Sequence, residues 1–292
     1  GHTLKTKLLR EHYASILGNM IPDCLPPVDG AVTVKGGTSQ GFVVKVWAET
    51  DQAAGLYSAD LTVTDAESGK TVKTAKVYVY VYPFSLSEET ALRTAVNMGD
   101  WAIVSTYQNR GMNDYEYWDL YKIYYDFLLE NRICAYRLPY RLDDGRVTEY
   151  LNNPRVNSFV INKISDNEAQ AYEILSQNAS WLKKGFYYYV DEPTNQGLLD
   201  NLATAGNRLS GTFPGYKQVS PFFTNMNVGE GDQIEFMKDY VNIWCTKPFA
   251  FTPRDKAIIA GTQFMTTSAQ DAKYGTFAER MAALAREGHE TW

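Results

Sequence analysis

The sequence predicts an α/β chain that begins with an all-β part. Between residues 41 and 82, apolar and polar residues alternate in three segments, which is typical of antiparallel strands with one covered face. From about Ala91 onward, short apolar runs alternate with longer segments of helical period, which is typical of βα units and a parallel sheet. We therefore expect a β-sandwich-like domain over residues 1–88 and a βα domain over residues 89–292.

The expected N-terminal strands are GFVVKVWAET, LYSADLTVTD and TVKTAKVYVYVY, and the turn DAESGK joins the last two. In the third strand, valines and tyrosines alternate from Val77 to Tyr82, so the valines should face one side and the tyrosines the other. Pro83 ends this strand because proline has no backbone N–H for a ladder.

Six parallel strands are expected in the second domain, at 92–98, 133–139, 156–161, 186–191, 217–224 and 241–246. Helices are expected at 114–132, 166–185, 195–209 and 271–287. A complete (β/α)8 barrel takes roughly 250 residues, and only about 200 follow Ala91. The count leaves two alternatives, an open sheet or a barrel truncated after about six strands.

Charge and hydropathy exclude two classes of partner. The 28 Lys and Arg residues against 34 Asp and Glu residues give a net charge of −6, so no basic field is available for nucleic acid. No run of 18 apolar residues occurs, so we expect no membrane span.

Histidine and cysteine are scarce, and none of them is spaced as metal ligands are. They are His2, His12, His289, Cys24, Cys134 and Cys245. This distribution argues against a metal site and against Ser-His or Cys-His catalysis, so we expect no metal and no cofactor. We interpret the cysteines as buried small apolar residues.

Aromatic residues are abundant, with 13 Phe, 6 Trp and 21 Tyr. Aromatic faces stack on sugar rings, but aromatic-rich strands and cores have the same composition. Composition alone leaves both interpretations open.

The pair Asp191-Glu192 is the main candidate for chemistry. It closes the aromatic strand 186–191 and precedes Pro193, at the carboxyl end of the fourth parallel strand, where (β/α) barrels carry their catalytic residues. Strand alternation predicts Tyr187, Tyr189 and Asp191 on one face, so Glu192 can share their site only if the strand ends there. The alternative interpretation is that both carboxylates cap the following helix.

Two adjacent carboxylates in an aromatic cleft suit acid/base work on a glycosidic bond. The usual retaining and inverting glycosidases hold their two carboxylates on separate strands, about 5 to 9.5 Å apart. An adjacent pair therefore suggests another division of roles, in which the 2-acetamido group of the sugar is the nucleophile.

The stretches IPDCLPPVD (21–29), QGFVVKVWAETDQAAGLYSADLTV (40–63) and YYYVDEP (187–193) resemble glycoside hydrolase family 123 and its DUF4091 relatives. The resemblance implies an N-terminal β-sandwich, a (β/α)8 barrel and retaining β-N-acetylgalactosaminidase activity assisted by the substrate. It implies Glu192 as general acid/base and Asp191 as the carboxylate that orients the 2-acetamido group. It also implies a glycan substrate with terminal β-GalNAc and an extracellular, cell-surface or periplasmic location in a bacterium.

Other substrate-binding candidates are chosen by their position near strand ends. They are Asn97, Arg137, Tyr189, Asn225 and Trp244. Trp244 is the preferred ring-stacking platform, although a buried barrel tryptophan would give the same pattern.

Two further functions stay open. An ordinary retaining glycosidase would keep Glu192 as acid/base and take its nucleophile from a strand beyond the sixth. A non-catalytic carbohydrate-binding or structural protein would use the aromatic residues without the carboxylates.

Overall fold

The computed structural model describes residues 3–108, 111–222, 226–245, 263–265 and 290–291. The chain divides into two compact units, Gly1–Ser87 and Glu88–Trp292.

The regular elements among the described residues of the first unit are all strands. The strands are β1 (Lys5–Arg10), β2 (His12–Ile16), β3 (Asn19–Cys24), β4 (Phe42–Trp47), β5 (Gly55–Thr64) and β6 (Thr71–Val81). They pair antiparallel as β1 with β4, β2 with β3, and β5 with β6.

The β5–β6 hairpin confirms the prediction from alternation. Val77 and Val79 line a cavity of about 400 Å³, together with Leu8 of β1 and Val44 of β4. The alternate positions Tyr78, Tyr80 and Tyr82 are exposed. The valine face is therefore the inner face of this unit, as the period of two requires.

The β2–β3 hairpin was not predicted. Its turn is Leu17-Gly18, with φ of 49° and 80°, so both residues are left-handed, as a two-residue hairpin turn of this hand requires. The sequence does not predict this turn, because Asn or Asp usually occupies the first of these positions and here it is leucine.

Short strands in parallel order make up the sheet of the second unit. They are β7 (Phe159–Val160), β8 (Gly185–Phe186), β9 (Val219–Pro221), β12 (Ile243–Cys245), β13 (Gln263–Met265) and β14 (Glu290–Thr291). A separate antiparallel pair is formed by β10 (Asn227–Val228) and β11 (Gly231–Asp232).

Successive segments of the second unit pair in chain order. Val96 bridges Ala135 in parallel, and the Val160 N–H donates to the Tyr136 carbonyl at 2.6 Å. β7 pairs with β8, and a parallel bridge joins Tyr187 to Gln218 at the start of β9. β9, β12, β13 and β14 then follow as parallel neighbours.

Two parallel strands, β13 and β14, lie beyond the six that were expected. The helix predicted at 271–287 lies outside the described residues. Among those described, no pairing joins β14 to the Val96 segment, so closure into a barrel stays a prediction.

The helices of the second unit include those predicted at 114–132 and 195–209. They are α1 (Asp100–Gln108), α2 (Asp114–Glu130), α3 (Val147–Asn152), α4 (Glu168–Leu175), α5 (Ala179–Lys184), α6 (Gln196–Thr212) and α7 (Gln233–Met237), with a 3-10 turn at Ile161–Lys163. Of these, α1, α3 and α7 were not predicted. The helix expected at 166–185 is divided into α4 and α5. The side chain of Asn178 caps a new helix start by accepting from the Ser180 N–H.

The two faces of the parallel sheet pack separately. One face of six successive segments forms a single cluster of Ala95, Tyr136, Val160, Phe186, Tyr188, Val219, Ile243 and Cys245. The other face packs on the helices, where Tyr187 and Tyr189 join one cluster and Trp244 another. In the first unit, by contrast, none of the described residues is fully buried.

Candidate functional site

The candidate site lies where parallel strands of the second unit end. Tyr188 and Asp191 follow β8, Asn162 follows β7, and Cys245 is the last residue of β12. Because parallel strands present their carboxyl ends at one edge, these residues collect on the same side of the sheet.

Asp191 is held at this edge by a tyrosine. The Tyr188 hydroxyl donates to Asp191 Oδ1 at 2.6 Å, and among the described residues it is the only hydrogen-bond donor to this carboxylate. Asp191 is exposed, so its second oxygen is open to a ligand.

The Asp191 carboxylate contributes to raising the pKa of both Cys245 and Tyr188. Burial, and then the charge of Asp191, raise the pKa of the Cys245 thiol to about 12, so the thiol stays protonated at neutral pH. Burial, and then the hydrogen bond to Asp191, raise the pKa of Tyr188 well above its ordinary value. Tyr188 therefore stays protonated at neutral pH and donates its hydroxyl hydrogen to Asp191.

Glu192 has a left-handed backbone, with φ of 44°. A non-glycine residue pays roughly 1–2 kcal/mol for this conformation, and such residues concentrate at functional sites. The next residue, Pro193, is buried, and its carbonyl accepts from the buried Gln233 side chain at 3.0 Å. This anchor holds the turn in place.

The helix-capping interpretation of the carboxylate pair is wrong. The N-cap of α6 is Asn195, whose side chain accepts from the Leu198 N–H at 3.1 Å. Asp191 and Glu192 therefore have no part in the first turn of that helix.

The predicted face of Asp191 is also wrong. Tyr187 and Tyr189 stack on each other on the helix side, with ring centroids 5.6 Å apart, whereas Asp191 bonds to Tyr188 on the opposite face. Strand pairing ends at Tyr187, and the chain bends at 191–192, so alternation does not extend to Asp191.

Tyr189 is not brought together with the carboxylate pair. Its hydroxyl donates to Glu168 Oε1 at 2.5 Å, and the Arg208 guanidinium lies 5.1 Å from its ring centroid. Arg208 also pairs with Glu168 at 2.8 Å, and the Thr212 hydroxyl lies 3.0 Å from the same carboxylate. We call Glu168, Tyr189, Arg208 and Thr212 the Glu168 cluster.

Arg137 lies in a groove of about 650 Å³ beside the second segment of the sheet. Its guanidinium stacks on Trp118 at 4.4 Å from the ring centroid. Arg146 stacks in the same way on Tyr140, at 4.3 Å, and pairs with Asp144. The guanidinium groups thus cover one face of each ring.

The remaining candidates are spread out. Trp244 is only 1% exposed in the cluster beneath α6 and α7, so its ring offers no face to a sugar. Asn97 is exposed and accepts from the Gly99 N–H at 2.9 Å, as in a turn. Asn225 lies outside the described residues.

Sequence reasoning missed Tyr188 and Asn162. The Asn162 side chain donates to the Tyr188 carbonyl at 2.8 Å and accepts from the Tyr188 N–H at 3.0 Å. Asn162 could have been found by its position, because it directly follows the predicted strand 156–161, at the edge where site residues are expected. Tyr188 was hidden among three consecutive tyrosines.

The prediction of buried cysteines has a mixed outcome. Cys134 and Cys245 are buried, but Cys24 is exposed, so the prediction of burial is wrong for Cys24. In the part of the chain that the structure describes, no group of three or more His, Cys, Asp or Glu side chains could hold a metal ion.

No protein-family model matches the chain, and no curated protein matches its sequence. None of the helices within the described ranges is long and apolar enough to cross a membrane.

Proposed function

We propose that the chain is a glycoside hydrolase that acts as a retaining exo-β-N-acetylgalactosaminidase with assistance from the 2-acetamido group of the substrate. The observation that carries the proposal is the Tyr188–Asp191 hydrogen bond, which presents an exposed carboxylate beside Glu192 at the carboxyl edge of the parallel strands. The resemblance of YYYVDEP to glycoside hydrolase family 123 and its DUF4091 relatives supports the same assignment.

Glu192 is the general acid/base in this proposal. It gives a proton to the glycosidic oxygen while the 2-acetamido oxygen attacks C1, so the leaving alcohol departs neutral and an oxazolinium ion forms. Glu192 then takes a proton from the water that attacks C1 and reopens the ring. Two displacements at C1 retain the β configuration.

Asp191 accepts a hydrogen bond from the acetamido N–H and so makes the acetamido oxygen a better nucleophile. Its negative charge also stabilises the oxazolinium cation, a charge that develops only as the reaction proceeds. The Tyr188 hydroxyl occupies one oxygen of Asp191, which leaves the other for the substrate.

The substrate in this proposal is a glycan that ends in β-GalNAc, and the enzyme works outside the bacterial cytoplasm, at the cell surface or in the periplasm. The reaction needs no metal and no cofactor, since every proton moves through a carboxyl group or the substrate.

The primary experiment compares aryl β-glycosides of N-acetylgalactosamine and of galactose. We expect hydrolysis of the 2-acetamido sugar with retained configuration and little hydrolysis of the plain galactoside. Glu192→Gln should lower kcat by about 10²- to 10⁴-fold, because a positioned acid/base contributes about that much. Glu173→Gln, an exposed carboxylate on α4, is the matched control and should leave kcat unchanged.

Equal rates on the two sugars would contradict substrate assistance. Trapping a covalent glycosyl-enzyme with a 2-fluoro sugar would then support the ordinary retaining glycosidase, whereas inhibition by a thiazoline sugar supports our proposal. If the chain binds the glycan without cleaving any of these sugars, the carbohydrate-binding alternative is correct.

A further inference from the structure

Beyond the last pair of β7 with β8, the Asn162 side chain makes the hydrogen bonds to the backbone that a neighbouring strand would make. β7 stops at Val160, and Asn162 lies in the 3-10 turn that follows. Its carboxamide bonds to both the N–H and the carbonyl of Tyr188, at 3.0 and 2.8 Å. Within the described residues, this side chain is the hydrogen-bond partner of both backbone groups.

A similar arrangement occurs twice at the opposite edge of the sheet, where an asparagine side chain bonds to backbone groups of two residues that lie two positions apart. Asn157 precedes β7, and its side chain bonds to the Leu92 carbonyl and the Thr94 N–H. Asn242 precedes β12, and its side chain bonds to the Tyr216 carbonyl and the Gln218 N–H, at 2.8 and 2.6 Å. These two asparagines join neighbouring segments where the strands begin, whereas Asn162 acts where they end, on the side of Asp191.

The hydrogen bonds run in series from Asn162 to Asp191. Asn162 fixes the backbone of Tyr188 at two points, which sets the direction of the Tyr188 ring on the sheet face opposite the helices. The Tyr188 hydroxyl then holds Asp191 at 2.6 Å. If Asn162 is shortened, the half-buried N–H and carbonyl of Tyr188 lose their partners, and the ring loses its fixed direction.

We infer that Asn162 is a positioning residue that acts through Tyr188 to set the carboxylate of Asp191 for the reacting acetamido group. This inference rests on the proposed function. Asn162 makes no bond to substrate in this role. Its effect on the rate comes from the geometry of Asp191 alone.

The experiment uses Asn162→Ala, with Asn242→Ala as the matched control, because each removes two hydrogen bonds of the same kind from opposite edges of the sheet. Both variants should lose thermal stability to a similar extent. On the aryl 2-acetamido galactoside, Asn162→Ala should lower kcat by about 10- to 100-fold, since a displacement of about 1 Å at a reacting group costs that much. Asn242→Ala should leave kcat per folded molecule unchanged.

A double-mutant cycle separates positioning from general loss of structure. If Asn162 acts through Asp191, Asn162→Ala should lower kcat much less in an Asp191→Asn background than in the native protein. If the two reductions multiply, or if Asn162→Ala and Asn242→Ala lower kcat equally, the inference is wrong while the proposed function stands.

A different result would remove the proposed function. If the native chain hydrolyses none of the sugars, crystal structures of the native protein and of Asn162→Ala decide the inference separately. Loss of the Tyr188–Asp191 hydrogen bond in the variant would support the positioning link, and its retention would overturn it.

Discussion

Two neighbouring tyrosines, Tyr188 and Tyr189, follow β8 and each hold a carboxylate, on opposite faces of the sheet. Tyr189 donates to Glu168, whose side chain is 11% exposed and also receives the Arg208 guanidinium at 2.8 Å. Tyr188 donates to Asp191, which is exposed and has no cation paired with it among the described residues. A carboxylate whose charge is already neutralised stabilises the fold, whereas one that is oriented but not neutralised remains available to a ligand.

The pKa of Glu168 reflects its pairing with Arg208. Burial raises the pKa of Glu168, but the hydrogen bonds from Arg208, Tyr189 and Thr212 outweigh burial and hold the pKa below its ordinary value. Glu168 is therefore charged and engaged at neutral pH. Its cluster is the structural counterpart of the site on the other face.

The largest expected effect is on stability, from Glu168→Ala. The change leaves Arg208 without its carboxylate and removes the acceptor of the Tyr189 hydroxyl, and hydrogen bonds to charged groups contribute about 1.5–3 kcal/mol each. We expect the free energy of unfolding to fall by about 2–3 kcal/mol, measured by urea denaturation. Glu173→Ala on the same helix is the control, and a loss of similar size there would show that the Glu168 cluster has no special role.

The sharpest test of the comparison removes the two tyrosine hydroxyls, one in each variant. Tyr188→Phe should lower kcat on the aryl 2-acetamido galactoside by about 10-fold, because Asp191 loses its hydrogen-bond donor. Tyr189→Phe should lower stability by about 1 kcal/mol and leave kcat per folded molecule within about twofold. Kinetics and urea denaturation of both variants decide it, and the comparison fails if the two changes reduce kcat equally.

The smallest effect is the pH dependence of stability. Because the folded pKa of Glu168 is lowered, its contribution is present above the ordinary value of about 4.3 and is lost as pH falls through the folded pKa. The difference in unfolding free energy between the native chain and Glu168→Gln should therefore shrink as pH falls below about 4.5. A difference that is constant from pH 7 to pH 3 would show that this carboxylate is not engaged as the contacts indicate.

Local patterns explain why part of the fold was predictable. The strands of the β5–β6 hairpin are ten and eleven residues long and alternate over most of their length, and α2 begins at a capping box formed by Asn113 and Glu116. The β2–β3 turn was not predicted because leucine occupies a left-handed position. Local patterns reveal an element only when it is long or has a characteristic turn residue.

The sequence by itself determined the order of the βα segments and put Asp191 and Glu192 after the fourth strand, because strand and helix periods are properties of neighbouring residues. Only the tertiary structure decided which face Asp191 uses, that Trp244 is buried, and that Asn162 bonds to Tyr188. The Asn162–Tyr188 bond joins residues 26 positions apart, and the face of Asp191 depends on where strand pairing ends, at Tyr187. Neither depends on a repeating local pattern, so both follow from long-range packing and backbone geometry.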